Sequence, residues 1–322
     1  MSERVDNLEA SKQASKQASK QASKQASKQA SKQASKQAYL IIAHKDDLVF
    51  YTLLKMLDHS KNEIFIHMDI KNSEYDKEKV EDLIKNTSVY HVERTSVTWG
   101  GESLINAELL LLEKAISVGK YQHYHLISGA DLPIKTQEQI QEFFETNTGK
   151  EFLRFEKEHF EYADRVRYYH LLQDKVGRSH NYILRGIEKV MVSLQKFFHI
   201  RRNEDIIFQK GTQWFSITDE FARYVVSMKP WIKETFKYTY CCDEVFMQTL
   251  LINSPFVNNL YHKEFDNSPY AIMRLIDWTR GKPYTFLVLD YDELCESEMM
   301  FARKFDSDVD KEIVKKIYNT FS

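Results

Sequence analysis

The chain has 322 residues, 43% hydrophobic and 13% aromatic, enough for one large or two closely joined globular units. With 9 Gly and 5 Pro it is neither fibrous nor loop-dominated. Its 45 basic and 47 acidic residues leave a net charge of −2, without the basic excess of a nucleic-acid binder.

Residues 11–38 are seven perfect copies of Ser-Lys-Gln-Ala. The unit has no apolar stripe, so residues 1–38 are expected to form a disordered, solvated segment. The codons AGC AAG CAA GCA encode this unit and are the tetranucleotide AGCA read in triplets. Gain or loss of one tetranucleotide shifts the reading frame. The repeat therefore predicts a phase-variable bacterial locus of the kind that decorates surface glycans.

Tyr39–Ala43, Ile64–His67, Ser88–Val92 and His123–Ile127 read as strands, with helical spacing over Asp46–Asp58, Tyr75–Asn86 and Ser103–Val118 between them. This alternation predicts an α/β fold with a parallel, doubly wound sheet. Ligands on such sheets bind beyond the carboxyl ends of the strands, where Asp69 and Ser128–Asp131 stand. Farther on, Phe152–Phe155 and Trp214–Ile217 read as strands. Tyr182–Phe198, Asp219–Ser227, Asp243–Leu251 and Val309–Phe321 read as helices. Residues 39–150, which hold the doubly wound pattern, are expected to be one half of the core, and residues 151–322 a second, more mixed half.

Trp99–Ser103 is a glycine-containing turn with Ser103 as its expected helix N-cap, and the glycines could admit a ligand to the backbone. His44 and His67, at strand ends, are read as structural. Leu184–Arg202 mixes Leu184, Ile187, Met191, Leu194 and Phe198 with basic residues, which suits either a core-facing helix or one resting on the inner membrane. Asp243 and Glu244 open the Asp243–Leu251 helix, as caps favoured by its dipole or as a carboxylate base. Arg303 and Lys304, in Phe301–Asp306, precede the last helix as a phosphate site. The pairs Asp290/Asp292, Asp306/Asp308 and Asp308/Asp310 are read as caps or surface charge, and no cluster has metal-ligand spacing.

Cys241, Cys242 and Cys295 form neither a disulfide framework nor a zinc spacing. Reduced thiols, no secretory leader and no apolar run long enough to span a bilayer predict a cytoplasmic location, with the inner membrane face as an alternative.

IHMDIK at Ile66–Lys71, VTWGGES at Val97–Ser103, DLPIKT at Asp131–Thr136, TQWFSIT at Thr212–Thr218, Cys242–Glu244 and FARKFD at Phe301–Asp306 occur in this order. Together they resemble the core-2/I-branching glycosyltransferases and peptide O-xylosyltransferases, over roughly residues 39–310. The resemblance implies a GT-A type fold, a Rossmann-like mostly parallel sheet flanked by helices. It also implies inverting transfer from a UDP-sugar, with N-acetylglucosamine leading and xylose or glucose as alternatives. The acceptor it implies is an oligosaccharide or lipid-linked glycan such as lipooligosaccharide. No cofactor and no metal are implied; basic side chains serve the diphosphate instead.

By motif, Glu244 takes the place of the catalytic base, Lys304 that of a diphosphate-binding lysine and Trp278 that of an aromatic lining the acceptor site. Asp69 and Asp131 fall on the donor side, so the resemblance makes residues 39–150 the nucleotide-sugar-binding half and residues 151–322 the acceptor-binding and catalytic half. Arg280, Lys282 and Arg303 are candidates for a second diphosphate cation. Arg165 and Arg167 fall near an acceptor-contacting basic region, and Asp243 joins that side. Cys242 stands where proline often precedes the Asp-Glu pair. A non-catalytic glycan-binding protein is the competing class; a hydrolase is disfavoured because no second carboxylate is placed with Glu244.

Overall fold

The computed structural model describes residues 36–177 and 181–322; the repeat through Ser35, and with it the expected disorder, lies outside the described residues. The described chain begins with β1 (Gln37–Ala43), α1 (Leu48–Leu57), β2 (Asn62–Met68), α2 (Lys77–Leu83), β3 (Ser88–His91), α3 (Glu102–Val118) and β4 (His123–Ser128). β1 pairs in parallel with both β2 and β4, and β2 with β3. This is the α/β arrangement that the alternating pattern predicts. Strands covered on both faces are apolar on both faces. Along β1, Ala38 and Leu40 enter one hydrophobic cluster, while Tyr39 and Ile41 enter the other.

β1 starts inside the repeat, which corrects the boundary expected after residue 38. Gln37 and Ala38 are fully buried, opposite Asn62 and Glu63 on one side and His123 and Tyr124 on the other. The Gln37 side chain bonds Gln122 at 2.6 Å and His125 at 3.1 Å, and Lys36 pairs with Glu63 at 2.7 Å. A polar repeat unit enters the sheet because its hydrogen-bonding groups are answered there.

The chain continues through β5 (Asp131–Pro133), α4 (Gln137–Thr146), α5 (Ala163–Arg167), α6 (Gln173–Val176), α7 (Tyr182–Phe197) and β6 (Ser216–Thr218). Then come α8 (Asp219–Ser227), α9 (Lys229–Phe236), a 3-10 turn at Cys242–Glu244, α10 (Phe246–Ile252), β7 (Arg274–Ile276), α11 (Tyr291–Glu296), β8 (Phe301–Arg303) and α12 (Lys311–Phe321). The main sheet has the order β3-β2-β1-β4-β6, with β6 antiparallel to β4, and β5, β8 and β7 form a second sheet.

Three local expectations change. Phe152–Phe155 makes isolated bridges instead of a strand, since Phe152 meets Ser216 while Phe155 meets Gly211, and no continuous partner runs along it. The helix expected from Asp243 begins at Phe246, behind the 3-10 turn. Phe301–Arg303 is a strand, and not the entry to the last helix: Asp310 caps α12 by accepting the N–H groups of Glu312 and Ile313. Both hydrophobic clusters draw residues from either side of residue 150. Among the described residues, no helix is long and apolar enough to cross a membrane.

Candidate active site

The carboxyl ends of β1, β2 and β4 share one edge of the main sheet, and the winding direction reverses between β1 and β4. Open α/β sheets bind their ligands at such a point. Asp131 lies there, 1% exposed. It accepts the backbone N–H of Ser128 at 2.8 Å, the Ser128 hydroxyl at 2.7 Å and the Arg303 guanidinium at 2.6 Å. Arg303 also reaches Ser128 and lies 4.5 Å over the Trp214 ring. Asp131 and Arg303, both expected on the donor side, are thus direct partners across the β5–β8 ladder. Asp69 is enclosed as well. It accepts the N–H groups of Lys71 at 2.9 Å and Val97 at 3.3 Å, which ties the loop after β2 to the segment before α3.

Glu244 lies on the 3-10 turn with its side chain 34% exposed. Its Oε2 accepts from Arg165 at 2.9 Å and stands 3.6 Å from Lys210 Nζ. Oε1 has no hydrogen-bond partner among the described residues. Arg165 projects from α5 and lies 4.7 Å over the Tyr162 ring. Lys210 is paired with Glu156, whose other oxygen accepts the Tyr162 hydroxyl. One carboxylate oxygen is therefore held by the Arg165 guanidinium, with the Lys210 ammonium nearby, and the other has no hydrogen-bond partner among the described residues. Lys210, Glu156 and Tyr162 carry no local motif, and the sequence reading missed them.

A short segment joins this carboxylate to the basic strand. Gly211 donates its N–H to the Glu244 carbonyl at 2.9 Å, and Trp214, three residues on, lies under Arg303. Gly211 to Trp214 spans at most about 10 Å. Lys304, next to Arg303, is half-buried, and its ammonium has no partner among the described residues. Its backbone is bonded to Tyr284 and Phe286, which brings the loop after β7 alongside. That loop carries Trp278, 52% exposed, and Arg280. The Arg280 guanidinium is committed to three carboxylates: Asp277, Asp290 at 2.6 Å and Glu293 at 2.9 Å. It lies 4.3 Å over Tyr284.

Other expected residues are placed differently. Arg167, two positions from Arg165, bonds the Asn203 carbonyl and lies over Phe208, beside a pocket of about 440 Å³. Residues two apart on a helix do not face the same way, so Arg165 reaches Glu244 and Arg167 does not. Asp243 is turned inward. Burial first, and the charge of Glu244 second, push its carboxyl up to about 7, and its Oδ1 is unpartnered. Burial raises Glu108 well above the carboxylate range too, although Gln213 donates to it at 2.9 Å.

The glycines of the Trp99–Ser103 turn make room for protein and not for a ligand. A Cβ on Gly101 would collide with the Asp174 carboxylate at 1.9 Å, and one on Gly100, at φ +72°, would meet Gln173 at 2.9 Å. Gly101 is the N-cap of α3, while Ser103 accepts the N–H of Thr98 at 2.8 Å. His67 is buried and bonds Thr95 at 2.8 Å; His44 is exposed. Among the described residues, no group of three or more His, Cys, Asp or Glu side chains could hold a metal ion. The three cysteines are free.

Xylosyltransferase 2 of Canis lupus familiaris is 24% identical over 305 residues, covering 86% of this chain and 33% of its own length. Xylosyltransferase 2 of Mus musculus is 25% identical over 310 residues, with the same coverage. Xylosyltransferase 1 of Homo sapiens is 23% identical over 305 residues, covering 87% of this chain and 30% of its own length. The chain thus spans about a third of the length of these relatives. A solved structure of mouse xyloside xylosyltransferase 1, in apo form, aligns with a TM-score of 0.35 and 8% identity, covering 83% of this chain and 96% of the other. The core-2/I-branching enzyme family model matches residues 37–297, and the chain belongs to that glycosyltransferase family.

Proposed function

We propose that this chain is an inverting transferase that moves N-acetylglucosamine from a UDP-sugar to a hydroxyl of a bacterial surface glycan such as lipooligosaccharide. The arrangement around Glu244 carries this reading: Oε2 is held by Arg165 beside Lys210, and Oε1 is left open. Oε1 takes the proton of the acceptor hydroxyl, and the acceptor oxygen attacks the anomeric carbon. The bond from that carbon to the diphosphate oxygen breaks on the opposite face, and UDP departs with the electron pair. Lys304 and Arg303 offset the charge that develops on the leaving group. Trp278, exposed on the neighbouring loop, is a platform for the acceptor. Transfer needs no metal ion. The perfect Ser-Lys-Gln-Ala tract supports switching of expression through the reading frame.

UDP-xylose is the second donor reading, favoured by the xylosyltransferase relatives. The test is UDP release from a panel of UDP-sugars, with and without EDTA. Release with UDP-N-acetylglucosamine that is unchanged by EDTA is the expected result. Faster release with UDP-xylose moves the donor assignment, and loss of release in EDTA overturns metal independence. Tight glycan binding without release from any donor would make the protein a glycan-binding member of the family.

A further inference from the structure

None of the residues of α7 is buried. Its half-buried row is Leu184, Glu188, Met191, Val192 and Gln195, and that row attaches the helix to the body. Glu188 accepts the N–H of Leu172 at 3.0 Å and stands 3.3 Å from His170, while Gln195 bonds the backbone of Tyr169 at 2.8 and 3.0 Å. The outer side carries Ile183, Ile187, Val190, Leu194 and Phe197 at helical spacing. Ile183 and Phe197 are 76% and 75% exposed, and Phe198 and Ile200 extend the stripe past the helix end. Contiguous apolar patches of this kind mark a contact surface. The stripe read in the sequence as Leu184, Ile187, Met191, Leu194 and Phe198 is split, with Leu184 and Met191 turned partly inward.

Charge selects the occupant. The one acidic residue of α7, Glu188, is turned toward the body. Lys196 is paired with Asp164 and Arg201 with Glu204, whereas Arg185 and Lys189 are exposed and have no ion-pair partner among the described residues. A second copy of the chain would bring these like charges together across a self-complementary face. The Ser-Lys-Gln-Ala tract has no side chain that could fill an apolar stripe. An anionic lipid surface satisfies both the apolar and the basic rows. At about 24 Å, α7 is shorter than a bilayer core and lies along the interface instead of crossing it.

We propose that α7, with the turn through Ile200, docks the protein on anionic membranes. The surface is joined to the active site. Asp164 on α5 is bridged to Lys196 on α7, and its neighbour Arg165 holds Glu244. Docking therefore sets the Glu244 side of the cleft beside the head-group layer, where a lipid-linked acceptor presents its sugar. That last step rests on the role proposed for Glu244; lipid binding itself does not.

The test is flotation of the full chain with phosphatidylcholine vesicles, alone or mixed in equal parts with phosphatidylglycerol. Binding to the mixed vesicles, weakened by salt, is expected. It should fall at least about tenfold in Ile187→Asp/Leu194→Asp and in Arg185→Glu/Lys189→Glu, with circular dichroism and UDP release from soluble donor unchanged. Equal flotation of wild type and both variants overturns the proposal, as does absence of flotation. A dimer in light scattering that dissolves in Ile187→Asp/Leu194→Asp, without flotation, would reassign the face to self-association. Wild-type protein that floats yet releases no UDP would count against the transferase reading and leave the docking surface intact.

Discussion

The Arg165 guanidinium lies 2.9 Å from Oε2 of Glu244, although 79 residues separate the two in sequence. The pair fixes one oxygen, and in the proposed reaction the other takes the proton of the acceptor hydroxyl. Replacing Glu244 by Gln keeps the shape and removes the base, so turnover should fall by about two to four decades with UDP binding nearly intact. Arg165→Ala should lower kcat by about a hundredfold through lost orientation, with the KM for donor little changed. Steady-state kinetics with donor and acceptor varied separately check both, and unchanged turnover in Glu244→Gln removes Glu244 from the role.

Lys304 and Arg280 approach the same loop, yet their side chains differ in commitment. Lys304 has no partner among the described residues, whereas Arg280 is occupied by Asp277, Asp290 and Glu293. Lys304→Ala should cost about 2–4 kcal/mol of leaving-group stabilisation, seen as a drop in kcat. Arg280→Ala should chiefly lower the melting temperature, and only slightly, since the guanidinium is exposed and its ion pairs are screened by solvent. Normal donor kinetics in Lys304→Ala with a large defect in Arg280→Ala would reverse the assignment.

Glu151 is fully buried, and burial pushes its carboxyl up to about 7, although Thr218 donates both its N–H at 2.9 Å and its hydroxyl at 2.6 Å. The unfolded chain releases this proton near pH 4.5, and the folded chain holds it until about pH 7. The native state binds more protons across that window, so this group's contribution to stability is lost as pH rises through it. Glu151→Gln, an isostere of the protonated form, should flatten the decline. Melting curves between pH 4 and pH 8 measure it, and a wild-type slope in the variant would place the linkage elsewhere.

The sheet was legible because β1, β2 and β4 are apolar runs between periodic helices, and two of the ordered motifs contain Asp131 and Arg303, which the structure pairs directly. What was not legible depended on distant partners. FARKFD reads as a loop, since nothing near it announces that Phe301–Arg303 pairs with Asp131–Pro133. Gln37 and Ala38 read as tail because their repeat context is polar, while the groups that satisfy Gln37 lie at Gln122 and His125. Lys210 at Glu244 follows the same rule. By contrast, the capping box of Thr136 and Gln139 that opens α4 was a local signal that the sequence reading passed over.

Arg274 is the extreme of that distant kind. Its side chain is 2% exposed and bonds the carbonyls of Ile272 at 2.6 Å, Leu126 at 3.1 Å and Phe215 at 2.6 Å, with the Ser216 hydroxyl at 3.2 Å. Burial lowers its guanidinium to about 10, still charged at neutral pH. It stands on β7 and clasps the main sheet where β4 gives way to β6, so it fixes the small sheet, which carries both Asp131 and Arg303, against the large one. Arg274→Ala would leave several buried acceptors unpaired and open a cavity, at about 3–5 kcal/mol of stability. Arg274→Met fills the volume without the donors and should fall between the variant and wild type in denaturant titration. Were Arg274→Ala as stable as wild type, the clasp would be incidental, and the alignment of the two sheets would have to come from the aromatic packing of Tyr39, His125 and Phe301.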